Sequence, residues 1–398
     1  MFSRGMCLVF LVTVVEIILN FGRVYSDSNI WVELAEKGTS PVPDFFIAIR
    51  FMLPYLASPL VPILGPRSAF GLLNSIFWLG GVVVAYCIGA NLLGKTGGLL
   101  SALFFTTSIP MIAYGASVLT DTAGYFFVGL GLMLALKGEN VRKNLTNFLE
   151  GGVLALGGFF HPTGFLSLLF VLICRVKQKR TMIETLAGVL TVILLGVVGA
   201  YVKGWIHLVG PGLNSLLSPS RFLASKLGLS LIEAITVAFS IDAQILVPDF
   251  TNATVPSYLL RRVSVYHFTF CYSPALNLLW LSLIIGLGWR VTPRKVTLVG
   301  YLVILTVFLV MSPARALFER YLFYLWPCVI PFIIAGTKKL AELPASIVTR
   351  ILLKIGVAEL RMTALTDPCL YATAYIVLQG IGNTLRILTY LGPSLPLT

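Results

Sequence analysis

Charge is the scarcest commodity in this chain of 398 residues. Asp, Glu, Lys and Arg together make up 11% of it, where a soluble globular protein averages about a quarter. That shortage excludes an ordinary soluble multi-domain protein. Cysteine is sparse as well. The six residues, Cys7, Cys87, Cys174, Cys271, Cys328 and Cys369, are scattered. No C-x-x-C pair or Cys/His spacing supports a metal site or a disulfide framework. The opening run "MFSRGMCLVFLVTVVEIILN" is followed by no A-x-A-like cleavage site, so it reads as an uncleaved first span rather than a signal peptide. No repeat of fixed period appears. No matched pair of Gly/Pro-broken spans marks an inverted-repeat transporter. Short alternating segments, the signature of a membrane β-barrel, are also missing.

What is abundant is apolar. Hydrophobic residues are 57% of the chain and the mean hydropathy is +0.92. Apolar runs long enough to cross a bilayer recur along the whole length, which predicts an all-α, polytopic transmembrane bundle of about 10–12 spans. The net charge is +13. In a soluble protein that excess would suggest nucleic acid. Here it reads as cytoplasmic loops and contact with anionic membrane lipids, and no nucleic-acid partner is expected.

With Arg4 inside, the short loops "GKTGG", "KGENVRKN", "RVKQKR", "RVTPRK" and "GTKK" all fall inside, each carrying Lys or Arg, as the positive-inside rule requires. Asp27, Glu33, Glu36, Asp44, Asp121, Glu233, Asp242, Asp249 and Glu319 then fall outside. So does the sequon at Asn252, whereas the one at Asn144 falls inside. Helix boundaries are expected at the "GKTGG" turn, around "FFHPTGF", and after "TKKL". A separate amphipathic piece is expected over 345–360 and a final apolar run over 368–382. Glu16, inside span one, is expected to face the bundle interior.

Several outer stretches follow one another in a familiar order: "SDSNIWVELAEKG", "IRFMLP", "LTDTAGY", "FFHPTGF" and "FERYLFYLWP". Together they resemble the GT-C glycosyltransferases, in particular the branch of dolichyl-phosphate-mannose protein mannosyltransferases and aminoarabinose transferases. The likeness covers residues 1–336 or so. The chain accordingly divides into a GT-C-like catalytic region, 1–340, and a C-terminal amphipathic segment plus final helix, 341–398. The resemblance implies interfacial helices in the first outer loop and an outward-facing cavity. It also implies an inverting transfer of sugar from a polyprenyl-phosphate donor to an extracytoplasmic protein or lipid acceptor. It points to a prokaryotic cell membrane, an archaeal one included.

The expected site follows from these residues and their depth. Departure of a phosphate needs cations and attack by a hydroxyl needs a base. Asp27 either caps the helix after it or is the catalytic base; the resemblance favours the base. Arg50, Arg320 and Tyr321 are candidates for the donor phosphate, although Arg50 equally suits headgroup snorkelling. Asp121 is a helix cap or a substrate contact. His161 is a structural hydrogen-bonder or a donor contact. Glu33 and Glu36 read as a solvated face. The metal-using oligosaccharyltransferases carry a D-x-D pair in this loop, but here the second place after Asp27 is Asn29. No divalent metal and no cofactor is therefore expected. Two other readings stay open. A transporter or lipid flippase would show counterflow in proteoliposomes without sugar transfer. A non-catalytic membrane subunit would be indifferent to Asp27→Asn.

Overall fold

The computed structural model describes residues 4–25, 28–38, 50–137, 144–161, 163–176, 178–202, 274–311, 323–354 and 366–391. Among these residues every regular element is helical. In chain order they are α1 (Arg4–Asn20), α2 (Ser28–Lys37), α3 (Met52–Ala57), α4 (Val61–Leu64), α5 (Pro66–Thr106), α6 (Ile109–Tyr114), α7 (Asp121–Lys137), α8 (Asn144–Phe160), α9 (Thr163–Arg175), α10 (Lys179–Val202), α11 (Pro274–Val291), α12 (Lys295–Met311), a 3₁₀ turn (Phe323–Leu325), α13 (Trp326–Lys354) and α14 (Pro368–Leu391).

The helices are inside-out by the standards of a soluble protein. On α1 the inward face carries Met6, Val9, Thr13, Glu16, Ile17 and Asn20, while Leu8, Leu11, Val14, Val15 and Ile18 point outward. The spacing of both sets is helical, and it is the outward set that is purely apolar. Helix α10 repeats the pattern, exposing Ile183, Leu186, Leu190, Leu194, Leu195 and Val198. Water would penalise such a surface; hydrocarbon accepts it. The chain is a multi-pass membrane protein. By length and composition, Pro66–Thr106 is the one helix among the described residues that is long and apolar enough to cross a membrane, and six shorter apolar helices accompany it.

That longest helix is two limbs. Gly94 breaks it with φ 77° and ψ 176°, a conformation that only glycine adopts cheaply. The limbs then run antiparallel. A Cβ on Gly98 would meet the Tyr86 carbonyl, one on Gly89 would meet Ser101, and one on Gly81 would meet Phe105. The expected "GKTGG" turn is therefore where the chain reverses. The second limb ends at Thr107–Ser108, where Thr107 Oγ1 and Ser108 Oγ bond the carbonyls of Leu103 and Phe105 at 2.8 Å each. Both carbonyls also accept backbone N–H groups, from Thr107 at 3.0 Å and Ser108 at 3.4 Å, so the side chains reinforce the end of the limb.

The chain differs from expectation after "TKKL". Helix α13 continues without a break through Lys338, Lys339 and Pro344 to Lys354, where the sequence suggested a span and a separate amphipathic piece. Charge ends an apolar stripe, not a helix. Lys339 pairs with Glu342 one turn on, which supports the helix as it leaves the apolar core.

The main packing pairs are α8 with α10, α11 with α13, α5 with α7, and α9 with α7 and α8. In the α11–α13 pair a Cβ on Gly288 would strike the Phe332 carbonyl, and one on Gly336 would strike the Ile284 carbonyl. Small residues let these backbones touch, as they do in membrane helix pairs. The bundle therefore has two well-defined ends. One gathers Arg175, Arg180, Arg290, Arg294, Lys295 and Lys338, and the other gathers the junctions around residues 22–25, 113–121, 161–163 and 323–325.

Candidate active site

The site end is assembled around the segment that leaves α1. Gly22 N–H donates to Ala116 O and Val118 N–H donates to Arg23 O, both at 2.9 Å. These bonds dock the start of the first loop onto the loop preceding α7. Tyr25 adds two contacts. Its Oη donates to Ala113 O at 2.6 Å, and its ring lies 5.1 Å from that of Tyr114. Tyr25 and Ser28 then exchange bonds: Tyr25 N–H to Ser28 Oγ at 2.8 Å, and Ser28 N–H to Tyr25 O at 3.0 Å. Asp27 falls between these two fixed residues in the chain but lies outside the described residues, as do Asp44, Arg320 and Tyr321.

The loop before α7 is held from below. Asn74 Nδ2 donates to Ser117 O at 2.6 Å and to Leu119 O at 2.7 Å. Thr122 Oγ1 donates to Tyr114 O at 3.1 Å. Asp121 therefore opens α7 from a rigid base, and it is only 2% exposed. The helix N-terminus favours a carboxylate there. Its Oδ1 accepts a bond from Tyr324 Oη at 3.0 Å.

Tyr324 joins Asp121 to His161. Its ring stacks on the imidazole, with centroids 4.6 Å apart and an 18° angle between planes. His161 caps the end of α8 through its N–H to Gly157 O and is 2% exposed. Its Nδ1 lies 2.8 Å from Thr163 Oγ1, and Thr163 N–H points at the same nitrogen at 3.4 Å. A backbone donor aimed at Nδ1 favours the tautomer with the proton on Nε2. Gly124 makes the approach possible. A Cβ there would come within 2.8 Å of Tyr324 Cε1 and Oη and 2.9 Å of His161 Cβ.

Of the residues predicted from sequence, Asp121 and His161 thus meet through Tyr324. Arg50 does not join them; its guanidinium sits 6.0 Å from the Trp31 ring of α2. Trp31 and Leu34 are buried, while Glu33 is engaged by Lys37 at 2.8 Å on the exposed side of α2. Among the described residues no three His, Cys, Asp or Glu side chains come together to hold a metal ion.

Sequence reasoning missed two residues. Tyr324 carried no signal beyond the run of aromatics in "FERYLFYLW". Arg23 did carry one: it stands at the end of span one where the positive-inside rule disfavours a cation. It is 8% exposed, and Nη2 donates to Asn20 Oδ1 at 2.9 Å. Burial pushes its guanidinium down from the ordinary value, and Tyr25 opposes that shift.

Comparison with solved structures gives the fold. The chain has the fold of the GT-C glycosyltransferases. It is similar to ArnT from Cupriavidus metallidurans, an aminoarabinose transferase whose crystal structure has undecaprenyl phosphate bound. The match has a TM-score of 0.53 at 13% identity and covers 98% of this chain and 77% of that one. It is also similar to the Archaeoglobus fulgidus oligosaccharyltransferase, in a structure tethered to an acceptor peptide. That match has a TM-score of 0.50 at 12% identity and covers 98% of this chain and 56% of that one. No protein-family model matches the sequence, and no curated protein does.

Proposed function

We propose that this protein is a membrane glycosyltransferase that moves a sugar from a polyprenyl-phosphate donor to an acceptor outside the cytoplasm. The observation that carries the proposal is the convergence, at the site end of a GT-C fold, of the segment leaving α1 with the buried Asp121–Tyr324–His161 group. With the basic end inside, this site faces outward at headgroup depth. That is where a lipid-linked sugar presents its reacting carbon.

The chemistry is a single displacement. The acceptor hydroxyl oxygen forms a bond to the anomeric carbon as the bond from that carbon to the phosphate oxygen breaks. The electron pair leaves with the polyprenyl phosphate, and configuration inverts. The hydroxyl proton passes to a carboxylate, and Asp27 is assigned that role because it follows the docked Tyr25. Arg320 and Tyr321 are assigned to the departing phosphate, where a guanidinium is suited to take up charge. Arg50 is assigned to the same lipid headgroup from its place beside α2. Asp121 and His161 orient the sugar, each held by Tyr324. The reaction is proposed to need no metal ion.

The test is transfer from a polyprenyl-phosphate-sugar extract, measured in membranes at matched expression. Asp27→Asn is expected to abolish transfer and Asp121→Asn to reduce it by about 10²-fold or more, in the range of general-base and positioning losses. Full activity in both variants would refute the assignment. Counterflow of donor lipid without transfer would replace it with a transport function.

A further inference from the structure

A second polar cluster, which shares no residue with the proposed active site, joins α1 to α14 one turn below Asn20. Glu16 on α1 is 5% exposed, and Gln379 and Asn383 on α14 are each 1% exposed. Thr384 Oγ1 bonds both Glu16 Oε1 and its own helix at Gly380 O. Asn383 Nδ2 donates to Thr107 O at 2.9 Å, in the break between α5 and α6. A Cβ on Gly380 would lie 2.7 Å from Thr107 Cγ2, so α14 is pressed against that break. Non-helical backbone at membrane depth is tolerated where it is buried in protein or lines a polar cavity.

The cluster is under-satisfied in a directional way. Glu16 Oε2, Asn383 Oδ1 and both amide atoms of Gln379 are buried with no hydrogen-bond partner in the protein. Gln379 and Asn383 are one turn apart on the same face of α14. Three of the four atoms are oxygens, and one belongs to a carboxylate. Among the described residues no Lys or Arg pairs with Glu16. An ionisable side chain in a span marks a functional site whose partner has to be found.

We propose that α1, the α5–α6 break and α14 form a binding site for a small monovalent cation of the Na⁺ class. The donor set consists of the Glu16 carboxylate, Asn383 Oδ1, Gln379 Oε1 and Thr384 Oγ1. Hard oxygens of this kind suit alkali and alkaline-earth ions, and the cluster has no imidazole or thiolate to hold a transition metal. One carboxylate neutralises one positive charge; a divalent ion would leave an excess charge in hydrocarbon. The carbonyl of Thr107 in the break accepts from Asn383 Nδ2 and so fixes that amide with its Oδ1 left over for the ion. The bound ion fastens the C-terminal helix to α1 and to α6, the helix that leads into the loop carrying Asp121.

The experiment is thermal unfolding of the purified full chain in nanodiscs. NaCl is titrated against choline chloride at fixed ionic strength, so that no enzymatic activity is needed. The wild type is expected to show a saturable rise in Tm of a few degrees, of the size that binding at a hundredfold excess of ligand produces. Glu16→Gln keeps the shape of the side chain and should abolish the rise. Gln379→Leu, read against its own Tm in choline, should raise the half-saturating Na⁺ concentration, and it keeps the test decisive if Glu16→Gln does not fold. Equal Tm values for the wild type in both salts would overturn the proposal and leave the cluster to water. An undiminished Na⁺ response in Glu16→Gln, or in Gln379→Leu, would overturn it as well.

Discussion

At the basic end of the bundle, ionised side chains meet ionised or strongly polar partners. Arg175 pairs with Glu150 and also donates to Thr185 Oγ1 at 2.9 Å. Glu184 takes bonds from both Asn147 and Arg180. Arg294, at φ 53°, reaches across to Asn91 Oδ1 and Leu136 O, tying α5 and α7 to the turn between α11 and α12. At the site end the same kinds of groups are handled differently. Asp121 is more deeply buried than Glu150, yet among the described residues no Lys or Arg pairs with it; it accepts from a tyrosine hydroxyl. His161 is stacked and bonded to a threonine. One end spends its charge on holding helices together. The other leaves a carboxylate and an imidazole to uncharged partners, as the proposed site would require if a substrate is to supply the missing one.

The comparison predicts opposite signatures for mutations at the two ends. The largest effect on stability is expected at the basic end. Glu150 and Arg175 side chains are only 10% and 14% exposed, so removing one partner strands a charge. Glu150→Ala is expected to lower stability by about 3–5 kcal/mol, read as a fall in the denaturation midpoint in detergent. The double replacement Glu150→Leu with Arg175→Met should recover most of that loss, since an apolar pair avoids the desolvation penalty. Transfer per folded molecule should stay at the wild-type level.

Next in size is Gly124→Ala, which overpacks the junction of Tyr324 and His161. Overpacking of this kind costs about 1–3 kcal/mol. Activity is expected to fall further than stability does, because the methyl group displaces the stacked pair itself. Parallel measurement of Tm and transfer decides the matter; a proportional fall in both would make Gly124 a packing residue only. Tyr324→Phe is smaller still for the fold, at about 1 kcal/mol for one lost hydrogen bond. It keeps the stack on His161 and deletes the bond to Asp121. A drop in kcat at unchanged KM would mark Asp121 as positioned by Tyr324 for the reaction, whereas unchanged kinetics would return it to a purely structural place at the head of α7.

How much of this was legible beforehand depends on the range of the interaction. The helices could be read because apolar runs and basic loops are local features, and Gly94 announced its turn for the same reason. The unbroken course of α13 through Lys338 and Pro344 could not be read, since the apolar pattern stops there while the backbone continues. Asp121 and His161 stood out as scarce polar residues at span ends. Their meeting did not, because it runs through Tyr324, whose bond to Asp121 closes a separation of 203 residues. The link from Glu16 to Thr384 spans 368 residues. The burial of Glu16 was foreseeable from its place in a span; its partner at the far end of the chain was not.

The smallest effect sharpens the contrast by its absence. Helix α2 belongs to the site end and carries an ion pair of its own, Lys37 with Glu33 four residues earlier. The Glu33 contact raises the affinity of the Lys37 amine for its proton. Yet the Lys37 side chain is 61% exposed, and an exposed pair of this kind is screened by water and salt. What holds α2 is its opposite face, where Trp31, Leu34 and Ala35 are buried. Lys37→Ala is therefore expected to leave both Tm and transfer unmoved, and Trp31→Ala to lower both, since it removes a buried ring together with the surface on which Arg50 rests. If Lys37→Ala instead reduced transfer at constant Tm, the exposed face of α2 would belong to the site, and its lysine would join Arg50 as a contact for the anionic headgroup of the donor.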